Sequence, residues 1–131
     1  MYFKVKVNRT IVTENNKYKE IQETYLTEAQ DFIEAGTKII EELGKEIEVE
    51  DICIMKSLKP SANEYINDSK IFIVKIAEDI FVDGFIKTLK YSLPVFAFTS
   101  DEVYKVIKDY MKQGFEDMRI TTISETKWIW I

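Results

Sequence analysis

The chain has 131 residues, 46% apolar and 13% aromatic, with only four glycines and two prolines, enough for one compact domain with a core and too ordered for linker or low-complexity sequence. Eighteen cations against twenty-three acids give a net charge of −5, with no histidine and a single cysteine. Ser-His-Asp and Cys-His catalysis are thereby excluded, as are zinc sites built on imidazole or on several thiolates.

Tyr2 to Val7 alternates Phe3, Val5 and Val7 with Tyr2, Lys4 and Lys6, the period of a half-buried strand. Asn15-Asn16 is a turn signal, and Lys17 to Leu26 returns as the second strand of a hairpin. Thr27, with Gln30 three residues on, predicts the cap of a helix. Ala29, Phe32, Ile33, Gly36, Ile39, Ile40 and Leu43 follow at helical spacing, and Gly44 suits the left-handed backbone of a helix end. Ile47 to Met55 reads as a third strand containing Cys53, which is expected to be a buried structural thiol.

Residues 58–69 read as a connector that holds one of the two prolines. Ile71 to Ile76 opens the next strand, and Asp83-Gly84 is a strong hairpin turn between apolar runs. The returning strand, Phe85 to Phe98, contains Pro94, which suits an edge or a bulge. Thr99 or Ser100 caps a second helix, with Glu102 completing a capping box. Its inner stripe is Val103, Val106, Ile107, Tyr110 and Met111, and Gly114 ends it. Met118 to Trp130 forms the final strand.

The two halves, 1–57 and 70–131, thus repeat one order: strand, strand, helix, strand. Phe3, Val5 and Val7 map onto Phe72, Val74 and Ile76 at an offset of 69. One such unit buries too little to stand alone. The expected fold is therefore a single α+β domain over residues 1–131. A tandem pseudo-repeat of two β-β-α-β units would share about six mostly antiparallel strands in one sheet, with two helices on one face.

Charge is unevenly spread. Residues 1–25 carry five cations against three acids, and residues 26–52 two against nine. Tyr2, Lys4 and Lys6 share one strand face; Phe85, Lys87, Leu89 and Tyr91 share another. Sheets that interleave cations and aromatics bind nucleic acid by phosphate attraction and base stacking, although strands favour aromatics for packing reasons as well. The candidate contacts are Lys4, Lys6, Arg9, Lys17, Lys19, Lys87, Lys90 and Tyr91, with DNA, including single-stranded DNA, or RNA as the ligand. Trp128-Ile129-Trp130-Ile131 is an apolar end. It has three uses: completing the other half's sheet, pairing two copies through Trp128 and Trp130, or docking on a protein such as RNA polymerase. The acids Glu41, Glu42, Glu46, Glu48, Glu50 and Asp51 match no calcium-loop spacing and read first as a solvated face, with a divalent-cation site or nucleic-acid mimicry toward a basic partner as the other uses. Phosphate-loop, dinucleotide and kinase signatures are absent, so neither cofactor nor metal is expected. No apolar run reaches the ~20 residues of a membrane span, and no secretory signal opens the chain. The cytoplasm is the expected location.

The runs Tyr2-Phe3-Lys4-Val5-Lys6-Val7, Thr24-Tyr25-Leu26-Thr27-Glu28-Ala29 and Asp31-Phe32-Ile33-Glu34-Ala35, with Ile120-Thr121-Thr122-Ile123-Ser124-Glu125-Thr126, resemble a domain-of-unknown-function family of Bacteroidales and their crAss-like gut phages. The resemblance spans nearly the whole chain and carries no catalytic set; the ending Lys127-Trp128-Ile129-Trp130-Ile131 is more aromatic than its pattern. It implies a phage context, where small non-enzymatic proteins of DNA transactions and transcription control are common. The leading expectation is a non-enzymatic, DNA-binding regulator or DNA-transaction accessory in the host-cell cytoplasm. The alternative is a protein-interaction module acting on a host or phage protein, for example in counter-defence, through the acidic surface or the aromatic tail.

Overall fold

The computed structural model describes residues 1–58, 61–115 and 117–131; Lys59 and Pro60 of the expected connector lie outside them. Among the described residues the fold is α+β, with two helices and seven strands. The strands form two sheets rather than the expected one, ordered β3-β1-β2-β7 and β5-β4-β6. Each long first strand, β1 or β4, has an antiparallel neighbour on both sides from its own half, so the two do not pair with each other. The chain divides into two compact units, Met1–Met55 with Trp128–Ile131, and Lys56–Lys127.

In the first unit β1 (Tyr2–Val12) pairs antiparallel with β2 (Tyr18–Glu28) through a turn in which Asn16 takes φ 56°. The odd residues Phe3, Val5 and Val7 are fully buried and pack with Tyr25, Ala35 and Ile39 beneath α1 (Phe32–Leu43). Full burial of such side chains contributes about 1.5–3 kcal/mol each. The helix begins later than Thr27. The β1–β2 ladder runs on to Tyr2↔Glu28, so Thr27 stays in the strand, fully buried. Asp31 caps instead, its Oδ1 accepting the Glu34 N–H at 2.8 Å. Gly44 ends the helix at φ 90°, donating its N–H to the Ile40 carbonyl at 2.8 Å. Of the expected stripe, α1 buries Ile39, but Ile33 is 81% exposed. β3 (Glu48–Ile54) lies on the far side of β1.

In the second unit β4 (Lys70–Val82) and β5 (Phe85–Ala97) form a hairpin of thirteen paired positions. Asp83 and Gly84 take φ 50° and 81°, the two positive values that a type I′ turn requires. Phe72, Val74, Ile76, Leu93 and Val95 pack against Val103, Ile107 and Tyr110 of α2 (Ser100–Met111). The expected cap is present: Thr99 Oγ1 accepts the Glu102 N–H at 3.4 Å, and Glu102 accepts the Phe98 N–H at 3.0 Å. Pro94 lies on an edge strand, as its missing donor demands. The outer side of that edge is bonded at Ser92, whose N–H reaches the Lys56 carbonyl at 2.9 Å, and at Phe96, whose N–H reaches Asn63 Oδ1 at 3.0 Å.

The final strand is two strands in two sheets. β6 (Arg119–Glu125) pairs with β4, and β7 (Ile129–Trp130) runs parallel to β2. Between them Thr126 bonds the Ile71 carbonyl through both its N–H and its hydroxyl, at 3.0 and 2.8 Å. Both units keep the order β-β-α-β, and each central strand shifts register against its third strand at matching positions, Lys6/Val7 and Lys75/Ile76.

Candidate nucleic-acid interface

Strand alternation gives the second sheet one face toward α2 and one away from it. On the face away from α2, the register sets Lys75 opposite Ser92, Ala77 opposite Lys90 and Arg119, and Asp79 opposite Thr88. At one end of this face Ile71, Ile73 and Phe96 are buried, and the Tyr65 ring meets Phe96 edge-on at 5.5 Å. From Lys75 onward the face opens into a cleft of about 410 Å³, lined also by Lys56, Tyr91 and Thr121.

Four cations therefore line one cleft: Lys56, Lys75, Lys90 and Arg119. Arg119 Nη1 lies 2.6 Å from Asp79 Oδ2, and the Thr88 hydroxyl donates to Asp79 Oδ1 at 2.7 Å. The Thr88 hydrogen bond first, and then Arg119, hold the Asp79 carboxyl below its ordinary pKa. Lys56 sits over the Tyr91 ring at 5.1 Å, a cation–π contact. Desolvation, and then the Glu78 carboxylate, push the Tyr91 phenol up. Among the described residues, neither Lys75 nor Lys90 is in an ion pair. The Thr88 and Thr121 hydroxyls already donate to Asp79 and to the Lys75 carbonyl, so the cations and the Ser92 hydroxyl form the donor set suited to an anion. Among the described residues no group of three His, Cys, Asp or Glu side chains is placed to hold a metal ion, and no helix is long and apolar enough to cross a membrane.

Of the residues singled out in the sequence, Lys90 lies on this face, whereas Tyr91, which borders the cleft, pairs with Ile76 and bonds Glu78 and so shares the opposite face with Lys87. Lys87 pairs with Ile80 and so points to the other face of the same hairpin. Lys4 and Lys6 share the face of the first sheet that is turned away from α1; Lys4 lies over the Trp128 ring at 5.1 Å, and Lys6 stands opposite Asp51. Arg9 is on the reverse face, ion-paired with Glu23, as is Lys19 by its register with Ile11. Lys17 sits in the turn, its carbonyl accepting the Thr13 N–H at 2.8 Å. The first-unit cations are thus split between faces.

Cys53 is exposed rather than buried, because β3 is the edge of its sheet and the residue falls on the face away from α1. Its hydrogen bond to Asp51, 3.1 Å, is the main cause that raises the thiol pKa. The aromatic tail folds back on its own chain. β7 extends the first unit's sheet beside β2, and the Trp130 ring meets Tyr2 edge-on at 6.3 Å.

Lys56, Lys75 and Arg119 are not marked by any strand-face pattern of cations and aromatics in the sequence. Lys75 carries one signal: the offset of 69 maps Lys6 onto it. Arg119 has no local signal, because the register of β6 alone brings it to the cleft. The charge also divides by unit. The first unit holds seven Lys and Arg against twelve Asp and Glu, the second eleven against eleven. The whole net charge of −5 thus belongs to the first unit, and the cleft lies in the neutral one.

Comparison with curated proteins returns no match. A family model matches from the first residue to the last, residues 1–131, and the chain belongs to that family, Domain of unknown function (DUF4494).

Proposed function

We propose that the chain is a non-enzymatic nucleic-acid-binding protein, acting in the cytoplasm as a DNA-binding transcription regulator or DNA-transaction accessory of phage type. The observation that carries this reading is the convergence of Lys56, Lys75, Lys90 and Arg119 on one open cleft beside Tyr91. Phosphate contacts from clustered lysines and arginines supply most sequence-independent affinity for nucleic acid. The acidic pI, about 4.9 for the whole chain, does not oppose this, since the excess acid lies in the first unit.

The test is fluorescence anisotropy with labelled single-stranded DNA, duplex DNA and RNA over a salt series. Wild type binds, and affinity falls with salt. The double variant Lys75→Glu, Lys90→Glu binds weakly, with its log–log salt slope reduced by about 1.4–1.8 units, roughly 0.7–0.9 for each phosphate no longer neutralised. Absence of wild-type binding at low salt overturns the proposal and moves the function to protein interaction through the first unit's acidic surface.

A further inference from the structure

The β4–β5 hairpin ends in an exposed apolar tip. Phe81 is 80% exposed, Phe85 75% and Ile86 66%. Large rings left in water at a hairpin end mark a contact surface. Alternation along β4 puts Phe81 on the same face as Lys75, Ala77 and Asp79, with Ile86 directly opposite it. At ~3.3 Å per residue, the ring stands roughly 13 Å along the strand from the Ala77–Lys90 pair. The face thus runs from a cationic cleft to an exposed aromatic platform. Asp79, between them, is already engaged by Arg119 and Thr88. Asp83, at the turn, sets a negative charge beyond the platform.

On the reading that the cleft binds nucleic acid, we infer that the ligand is single-stranded, with its phosphates in the Lys75–Lys90–Arg119 cleft and a base stacked on Phe81. The chemistry complementary to this face is an anion joined to an apolar ring. A duplex hides its base faces in the stack, whereas a single strand offers them to exposed aromatics. The acid at the turn repels phosphate, which directs the backbone toward the cleft and leaves the tip to the base.

The experiment compares an oligothymidylate of about twelve nucleotides, within the usual site range of 4–16, with an abasic strand of equal length, by anisotropy at one salt concentration. Wild type binds the thymidylate more tightly than the abasic strand. Phe81→Ala weakens thymidylate binding roughly 5- to 100-fold and leaves the abasic affinity unchanged, as removal of one stacked base requires. Phe81→Tyr, which keeps the ring, binds as wild type does. Circular dichroism confirms that both variants fold, as the exposure of Phe81 leads one to expect. Equal thymidylate binding by wild type and Phe81→Ala overturns the stacking assignment and leaves the cleft as the nucleic-acid site. Loss of self-association by Phe81→Ala in sedimentation, with thymidylate binding intact, also overturns it and assigns the tip to a second copy. If wild type binds neither strand, the functional reading fails together with this inference.

Discussion

Arg119 and Asp79, forty residues apart in sequence, join β6 to β4 through a 2.6 Å ion pair at the cleft. The carboxylate therefore masks one of the four cations that line it.

Asp79→Asn should release Arg119 without changing the size of the side chain. The variant is expected to bind an anionic strand more tightly, with a salt slope steeper by about one unit, in an anisotropy titration. Unchanged affinity would show that Arg119 takes no part in binding. The same residue fixes an acid dependence. The folded-state pKa of Asp79 lies below its ordinary value, so the carboxylate stabilises the fold above the unfolded pKa, near 3.9. That contribution is lost as pH falls through the lowered value. Thermal melts of wild type should therefore lose a small increment below about pH 4 that Asp79→Asn does not show.

Tyr110 is buried in the second unit's core, its ring stacked on Phe115 at 4.8 Å and 7°. Its hydroxyl has no hydrogen-bond partner among the described residues, and burial pushes the phenol pKa up. Replacing it with Phe keeps the stack and removes an unsatisfied polar group. Tyr110→Phe is expected to raise stability by about 1 kcal/mol in urea melts. A fall in the midpoint would mean that the hydroxyl is satisfied in solution.

Trp130 holds the last strand against the first unit through its pairing with Leu26 and its edge contact with Tyr2. Trp130→Ala should expose Tyr2 and destabilise this unit by about 1–3 kcal/mol. An unchanged urea midpoint would show that the tail contributes nothing to the fold and would free it for a partner.

Much of the fold was legible because its signals are local. Alternation at Phe3, Val5, Val7 and at Phe72, Val74, Ile76 marks both central strands, and all six are buried. Asp83-Gly84 made its turn because both residues tolerate positive φ. Thr99 and Glu102 capped α2 because no strand competes for them. Thr27 has the same chemistry and failed as a cap, because the β1–β2 ladder had already claimed its backbone. Of the candidate site, Tyr91 was readable from the interleaving with Lys87 in one strand and Lys90 only as a strand cation, whereas Lys56 and Arg119 were not readable.

Residue type and spacing over a few positions set the order of elements as far as β6, the two hairpins, the buried face of each central strand and the absence of histidine chemistry. Long-range pairing set the two sheets, the division of the last strand between them and the confinement of the acidic excess to one unit. It also decided the cleft. Lys75, Lys90 and Arg119 span 45 residues of chain and meet through the pairing of β4 with β5 and β6. Register between strands is set by hydrogen bonds and packing between distant segments, and local periodicity carries no record of it.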